Sequence, residues 1–429
     1  MVKNIIKKNG YSKKKIHILT IMVKFTTKVR RFIMNIDKVF YKTLFKNLFS
    51  DSCRVKFWDG EVENYGEGEA KFEITFNETI PKADILSDPS IAFGEAYMTK
   101  KIDIKGSVED VIASIYNNKE SFLGGNSKYT NIIKKISNNL KNSKENIHHH
   151  YDIGNDFYKL WLDESMTYSC AYFRDSDDTL YEAQKNKVNH ILKKLSLKEG
   201  ETLLDIGCGW GELIINAAKK YKVKAMGVTL SSEQFARVQD RIKGENLSDL
   251  VEVQLVDYRQ IKDRKFDRVV SVGMIEHVGK DHLNEYFSKV NELLIDGGVS
   301  LLHCITSQED NEEGGTNSWI NKYIFPGGYI PSVNELVSHM KSEKLYCIDM
   351  ESLRRHYRKT LQMWRENFEN ALPEISKTKD ETFIRMWRLY LNACAASFDC
   401  GNIYLHQFLF TKGVNNELPW TREYIYDNH

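Results

Sequence analysis

Short apolar runs alternate with amphipathic segments of helix length from Thr202 onward. The apolar runs are TLLDIG, KAMGVTL, VEVQLVD, RVVSVGM and GGVSLLHCI, and segments such as ELIINAAKKY and SEQFARVQDRIKG separate them. Uninterrupted apolar runs are typical of strands buried on both faces, and intervening helices provide that cover when the strands are parallel. Further along, FIRMWRLYLNACAASFDCGNIYLHQFLFTKG predicts one more helix and an apolar strand that completes the sheet. The pattern therefore predicts an α/β fold with a mostly parallel sheet.

A smaller unit with a different pattern precedes this region. Residues 34–50 have a helical pattern, RVKFWDGEVENYGEGEAKFEITF predicts strands joined by turns, and SVEDVIASIYNN begins with a capping-box pattern that predicts a helix. The stretch 124–147 is polar and rich in Lys and Asn. We therefore predict a small α+β domain at 34–123, a linker at 124–147 and a second domain at 148–429.

An aromatic-rich segment interrupts the second domain between residues 307 and 368. It includes TNSWINKYIFPGGYIPSVNELVSHM and has a mostly helical pattern. Connections in compact domains are commonly about four to six residues long, so this segment is too long for an ordinary connection. We interpret residues 307–368 as a helical lid.

Charge is distributed unevenly along the chain. Residues 1–33 hold ten of the 61 Lys and Arg and no Asp or Glu, which leaves 51 basic against 59 acidic residues in the remainder. An acidic body argues against a nucleic-acid partner. The apolar patch IHILTIMV in this arm is short and lacks a small-residue cleavage site, so we predict a disordered basic arm, or a native start at Met34, rather than a secretory signal. A basic arm could also contact anionic lipid.

The seven cysteines are scattered, odd in number and contain no CxxC pair. This pattern favours reduced thiols in a cytoplasm over a disulfide framework or a zinc site. The triplet His148 to His150 lacks partner ligands at metal spacing, so we predict no metal. No apolar run approaches the length of a membrane span.

The first apolar run ends in a glycine-rich turn, LLDIGCGWGE. Asp205, Gly207, Gly209 and Gly211 lie there between a predicted strand and a predicted helix. Glycines at such a turn let backbone N–H groups approach a bound ligand. The second strand lacks the terminal acid that a dinucleotide ribose requires, whereas Asp205 suits the ammonium group of S-adenosylmethionine. We therefore favour S-adenosylmethionine, and a turn that is glycine-rich only for tightness is the alternative.

The fourth apolar run ends in two titratable side chains, Glu276 and His277. The carboxyl ends of parallel strands meet at one edge of the sheet, so these side chains are expected near the glycine turn. A carboxylate at a strand-to-helix turn can also simply cap the next helix. On this pattern alone, both roles stay open for Glu276.

Several longer motifs occur in a fixed order. LLDIGCGWGE, GVTLSSEQ, VDYRQI, SVGMIEHVG and LLHCITS are preceded by HHHYDIGNDFYKLWLDESMTYSCAYF and followed by HYRKTLQMW and RMWRLYLNACAASF. Together they resemble the cyclopropane-fatty-acyl-phospholipid synthases and the related mycolic acid methyltransferases. The resemblance covers roughly residues 36–412, including a first domain that only the phospholipid enzymes have. It implies a class I S-adenosylmethionine-dependent methyltransferase fold, Rossmann-like with a mostly parallel seven-stranded sheet.

The resemblance also implies three groups of residues around S-adenosylmethionine. Tyr168 and Ser169 would close over its methionine part, beside Asp205 and the backbone of Gly207, Cys208 and Gly209. The ribose would lie against Thr229, Leu230, Ser231, Ser232, Glu233 and Gln234, and the adenine against Asp257, Tyr258 and Arg259. A half-buried aromatic at a strand end is the alternative interpretation of Tyr258.

Methyl transfer to an alkene makes particular demands on the site. After the alkene takes the methyl group, a carbocation remains, and a proton must leave the new methyl group before a ring can close. A base must therefore act in an apolar pocket that excludes water. The resemblance implies that this base is bicarbonate, held by the side chains of Glu276, His303 and Tyr357 and by the backbone N–H groups of Cys170 and Ile305.

Each of these residues also has a structural interpretation. Glu276 could cap a helix, His303 could be a core histidine, and Tyr357 could pack in the lid. His277 is more plausibly structural than catalytic. Cys394 is an obvious candidate for a catalytic nucleophile, but the reaction needs no covalent step, so we favour packing.

These observations predict an enzyme that methylates the cis double bond of an unsaturated phospholipid acyl chain and closes a cyclopropane ring. In the family, the presence of the glutamate favours the ring over hydroxylated products. The predicted partner is the bilayer surface at the inner face of the membrane, with the first domain contacting lipid or a second subunit of a homodimer. Alternatives are a methyl-branched lipid product, methylation of a small amine, and a lipid-binding protein without catalysis.

Overall fold

The computed structural model describes residues 38–118, 153–310 and 317–426. The predicted arm at 1–33, the linker at 124–147 and the triplet His148 to His150 lie outside these ranges.

A four-stranded sheet with helices forms the N-terminal part of the described chain. Its elements are α1 (38–46), β1 (Cys53–Lys56), β2 (Val62–Tyr65), β3 (Phe72–Phe76), α2 (Lys82–Ser87), α3 (Pro89–Met98), β4 (Ile102–Lys105) and α4 (Val108–Asn117). The strand order is β2-β1-β3-β4, and only the β1–β3 pair is parallel. Phe72, Ile74 and Phe76 point to one buried face of β3, as their alternation predicts. Ser107 caps α4 by accepting from the Asp110 N–H.

The larger part of the chain surrounds a second sheet. Its strands are β5 (Thr202–Ile206), β6 (Lys224–Thr229), β7 (Val251–Leu255), β8 (Phe266–Val272), β9 (Leu294–Ser307), β10 (Leu345–Ser352) and β11 (Ile403–Lys412). Its helices are α5 (Asn155–Lys159), α6 (Leu180–Lys194), α7 (Glu212–Tyr221), α8 (Ser232–Gly244), α9 (Leu283–Leu293), α10 (Ser318–Tyr323), α11 (Val333–Ser342), α12 (Arg354–Asn370), α13 (Leu372–Ile375), α14 (Glu381–Asp399) and α15 (Glu423–Tyr426).

The strand order of this sheet is β10-β11-β9-β8-β5-β6-β7. Strands β5 to β9 pair in parallel, and β11 runs antiparallel to both of its neighbours. The sheet reverses its winding between β5 and β8, which is where ligands bind in open α/β sheets. This confirms the predicted α/β class with a mostly parallel, seven-stranded sheet.

The segment at 307–368 differs from the prediction in one respect. It was expected to be mostly helical, but it contains β10, an edge strand of the main sheet. In β10 only Leu345 is fully buried, so the strand lacks the apolar run that identified the other strands. The helices α10 and α11 precede this strand, and α12 follows it.

Polar contacts join the two parts of the chain. The guanidinium of Arg385, on α14, is buried and donates to the carbonyl oxygens of Tyr97 and Ile102. Glu109, on α4, pairs with Arg365, on α12, at 2.5 Å. The carboxylate is buried and the guanidinium is partly buried, so solvent screens the pair less than it would at an exposed surface. The small domain is therefore fixed against the helices that cover the main sheet.

The helix α3 of the small domain also contacts α10, which lies in the segment at 307–368. The Lys322 ammonium and the Tyr323 hydroxyl both bind Glu95, at 2.6 and 2.7 Å. A side chain at Gly94 would overlap the indole of Trp319, so glycine permits the close approach of the two helices.

Within 38–118, 153–310 and 317–426, no helix combines the length and apolarity needed to cross a bilayer. The same ranges contain no cluster of three side chains suited to holding a metal ion.

Candidate active site

The turn after β5 forms one wall of a cavity of about 150 Å³. Gly207 and Gly209 have φ values of 85° and 54°, and a side chain on Gly209 would meet no atom within 4 Å. Asp205 is 2% exposed, its Oδ1 has no hydrogen-bond partner, and burial raises its pKa to about 7. An open glycine cradle beside an unpartnered carboxylate fits a ligand that carries a cationic group.

The turns after β6 and β7 complete this cavity. Thr229 and Gln234 line it and share a hydrogen bond of 2.8 Å, and Leu230 lies between them. Asp257 binds Arg259 through two hydrogen bonds of 2.9 and 2.7 Å, which fixes the guanidinium beside Tyr258.

Three predicted cofactor residues lie outside the described lining of this cavity. Ser231 caps α8 by accepting from the Gln234 N–H, Ser232 begins that helix, and Glu233 binds Asn155 at 3.0 Å. The family resemblance implies that they contact the ribose, which stays a prediction, and Ser231 also orders the helix that carries Gln234.

The segment that carries Tyr168 and Ser169 forms a further wall of this cavity. Two side chains on one face of α6 hold this segment: Gln184 donates to the Ser169 carbonyl and Lys187 donates to the Ser169 hydroxyl, both at 2.9 Å. Burial lowers the pKa of Lys187 to about 8, although the acidic groups near it, including Asp205, partly offset the effect. Gln184 and Lys187 were not identified from the sequence. Two polar residues on the buried face of an amphipathic helix were the available signal.

Replacing Lys187 with Met is expected to weaken cofactor binding about tenfold. The change removes a hydrogen bond from a charged donor to the Ser169 hydroxyl, which contributes about 1.5–3 kcal/mol. We expect KM for the cofactor to rise while kcat changes less, because Lys187 orders the segment around Ser169 rather than the reacting atoms. Steady-state kinetics would measure both. The exposed Lys185→Met on the same helix is the control, and equal effects of the two changes would contradict the prediction.

A second cavity, of about 530 Å³, adjoins the first. Tyr168, Ser169, Gly273 and His277 line both cavities. The larger cavity is walled mainly by apolar and aromatic side chains, and its described lining contains no Lys or Arg. Mostly apolar pockets of about 300–1,000 Å³ are typical of ligand sites. His277, interpreted from sequence as structural, therefore stands where the cavities meet, and burial lowers its pKa to about 4.

Glu276 lies in the larger cavity, on a single 3₁₀ turn after β8. Its Oε1 accepts from the Ile305 N–H at 2.7 Å, and its Oε2 is buried without a partner. Burial raises the pKa of Glu276 to about 7. The Glu276 carboxyl group can therefore gain or lose a proton near neutral pH. A carboxylate that only capped a helix would not require a pKa in this range.

His303 faces the same cavity from β9. Its Nδ1 accepts from the Gln407 amide on β11 at 3.1 Å, which places the ring proton on Nε2. That Nε2 is buried without a partner, and burial lowers the pKa of His303 well below its usual range. His303 is therefore a neutral hydrogen-bond donor toward the cavity. Gln407 was not identified from the sequence.

Tyr357, Cys170 and Cys394 also line the larger cavity. Burial raises the pKa of the Tyr357 phenol well above its usual range, so the hydroxyl stays a donor. The Cys170 thiol contacts the Ala171 carbonyl, and burial raises the pKa of both thiols, that of Cys394 to about 12. Neither thiol is an activated nucleophile. The N–H of Ile305, predicted to bind an anion, is instead occupied by Glu276 in this structure.

Comparison with known proteins identifies relatives over most of the chain. The family described as mycolic acid cyclopropane synthetase matches residues 138–408, and a domain of unknown function matches residues 40–127. A probable fatty acid methyltransferase of Pseudomonas putida is 38% identical over 382 residues, covering 87% of this chain and 96% of that protein. The cyclopropane-fatty-acyl-phospholipid synthase of Escherichia coli (strain K12) is 44% identical over 274 residues, or 64% and 69% of the two chains.

Two solved structures of cyclopropane synthases are similar to the larger part of the chain. The cyclopropane synthase MmaA2 from Mycobacterium tuberculosis has a TM-score of 0.60 at 34% identity, covering 63% of this chain and 98% of that one. The mycolic acid cyclopropane synthase CmaA1, complexed with SAH and CTAB, has a TM-score of 0.59 at 37% identity with the same coverage. This chain therefore belongs to the mycolic acid cyclopropane synthetase family.

Proposed function

We propose that the protein transfers the methyl group of S-adenosylmethionine to the cis double bond of an unsaturated phospholipid acyl chain and closes a cyclopropane ring. S-adenosylmethionine is the co-substrate of this class of enzyme, and the smaller cavity fits it. The observation that carries the proposal is the junction of the two cavities. A polar pocket for a cationic methyl donor opens there into an apolar cavity that contains Glu276, His303 and Tyr357.

The residues around the junction suit a carbocation intermediate. The alkene takes the methyl group and becomes cationic at the neighbouring carbon. Aromatic walls such as Tyr168, Phe325 and Tyr390 exclude water that would capture this cation, and their ring faces attract positive charge. A proton must then leave the transferred methyl group so that its carbon can bond to the cationic carbon.

Bicarbonate fits the polar end of the larger cavity as the base. The unpartnered Glu276 Oε2 and His303 Nε2 are buried atoms that require a polar partner. His303 and Tyr357 supply donors for an anion, and Glu276 can share its proton because its pKa lies near 7. Bicarbonate, when bound, supplies a small base at a position that no protein side chain can reach. The Ile305 N–H would join this set only if Glu276 moved away from it.

We also propose that the protein acts at the inner face of the membrane, on the bilayer surface. The apolar cavity needs a substrate that is present only in lipid, and the absence of Lys and Arg from its described lining suits a hydrocarbon tail. The homodimer expected from the sequence is a separate part of the proposal. Measurement of the size of the protein in the presence of vesicles would test it.

The proposed activity is tested with methyl-labelled S-adenosylmethionine and vesicles of unsaturated phospholipid. We expect label in the acyl chains and cyclopropyl protons in their NMR spectrum. A methyl branch or an exocyclic methylene would exclude the ring, and labelling of a soluble amine without vesicles would support the amine alternative. Cofactor binding without any product would support a non-catalytic lipid-binding protein.

A further inference from the structure

The larger cavity is not confined to the methyltransferase part of the chain. It continues into the small N-terminal domain, where Phe49, Phe76, Phe93, Ile104, Ile112 and Ile115 line it. These side chains come from the loop after α1, from β3 and β4, and from α3 and α4. One wall of the cavity is therefore the inner surface of a domain that lies outside the matched catalytic region.

The N-terminal section of the cavity is nearly free of charge. Asp88 is the one carboxylate that the described N-terminal residues contribute to the lining, and it caps α3 by accepting from the Ile91 N–H at 3.0 Å. The hydroxyl of Ser90 is bound to Asn317. An ester or a phosphate in this section would lose its hydration without gaining a cationic partner, whereas a hydrocarbon chain would lose nothing.

The N-terminal section is also a fixed wall. Arg385 ties the end of α3 and the start of β4 to α14, and Glu109 ties α4 to α12 through Arg365. Leu389, Ala393 and Cys394, on the same α14, line the cavity. The distance from this wall to Glu276 is therefore set by the docking of the two domains.

We infer that the N-terminal domain holds the methyl-terminal part of the acyl chain and thereby selects substrates by the distance from the double bond to that end. The inference rests on the proposed function. With the double bond at the cavity junction, only the purely hydrocarbon end of the chain can occupy a section that lacks cations. The length of this section then limits how many methylene groups can lie beyond the double bond.

The test uses vesicles of synthetic phospholipids with one headgroup, in two series. In the first series the segment from the double bond to the methyl end varies in length, and in the second series the segment from the ester to the double bond varies. Ile112→Phe reduces the space in the N-terminal section by about the volume of two methylene groups. We therefore expect the relative turnover of the longest chains in the first series to fall about tenfold. Phe93→Ala empties the section and should shift the preference toward longer chains. Neither change should alter the preference in the second series.

Ile85→Val is the matched control, because Ile85 is fully buried in the same domain but lies outside the described lining. Thermal melting of each variant would show that it is folded. Unchanged preference in the first series, or a shift in the second series alone, would overturn the inference while leaving the proposed function intact. No ring product from the wild type on either series would overturn the proposed function and the inference with it.

Discussion

Glu276→Gln is expected to lower ring formation by about 10²–10⁴-fold and to leave cofactor affinity within about twofold. The amide oxygen can still accept from the Ile305 N–H, so the local geometry is kept. The amide cannot share a proton with a bound base, however. Product analysis by NMR and isothermal titration with the cofactor would measure the two effects separately. An equal loss of cofactor affinity would mean that Glu276 has a structural role.

The pH dependence gives a second measure of the same group. Since burial raises the pKa of Glu276 to about 7, ring formation at saturating cofactor should rise between about pH 6 and about pH 8 as the carboxyl group ionises. Glu276→Gln should remove this rise along with most of the rate. The exposed Glu199→Gln is the control, and it should keep both the rate and the pH profile of the wild type.

Asp205→Asn is expected to stabilise the protein without cofactor and to weaken cofactor binding about 10–100-fold. Burial raises the folded-state pKa of Asp205 to about 7, above its unfolded value of about 3.9. The folded state therefore binds the proton more tightly, and the free energy of unfolding falls as pH rises between these two values. Asparagine avoids this loss, so the variant should be more stable by about 4 kcal/mol near pH 8, and the gain should vanish below about pH 4. Hydrogen bonds to a charged partner contribute about 1.5–3 kcal/mol, which accounts for the weaker binding.

Chemical denaturation at several pH values, together with cofactor titration, would check both effects. Asp267→Asn is a contrasting control. Burial would raise the pKa of Asp267, but hydrogen bonds from the Thr202 side chain and backbone outweigh that effect and lower it. Asp267→Asn should therefore destabilise the protein above about pH 4 and leave cofactor affinity unchanged. A stabilised Asp205→Asn variant with normal cofactor affinity would show that the ligand does not use this carboxylate.

The main sheet could be predicted because six of its strands carry apolar runs. Both faces of β5, β6, β8 and β9 are covered, so their side chains must be apolar and the pattern is visible. The strand β10 has a neighbour on one side only and exposes Tyr346, Ile348 and Met350. An edge strand can be polar or apolar at such positions, so its sequence did not distinguish it from the helices around it.

The active-site side chains were predictable to the extent that they lie at strand ends. Glu276 lies where the strand pattern predicts, just after the carboxyl end of β8. His303 lies inside β9, four residues before its end, and only the family resemblance pointed to it. Lys187 and Gln184 were not predictable in this way, because they act on Ser169, which lies in an extended segment without periodicity. The section of the larger cavity that the small domain lines could not be predicted either. Phe76 and Ile112 have the pattern of ordinary core residues, and a void arises from how packed surfaces fit, which no short motif records.

The antiparallel strand β11 has a consequence for the timing of synthesis. It is the last strand in chain order within the described residues, yet it lies inside the sheet and brings Gln407 to His303. Translation proceeds at about 5–20 residues per second, so the glycine turn after β5 leaves the ribosome roughly 10–40 seconds before Gln407 does. Until Gln407 has left the ribosome, no amide from β11 donates to the Nδ1 of His303, and the ring proton is not held on the Nε2 that faces the cavity. The order of synthesis therefore delays completion of the site until Gln407 has left the ribosome, by which time every residue in the described lining of both cavities has been synthesised.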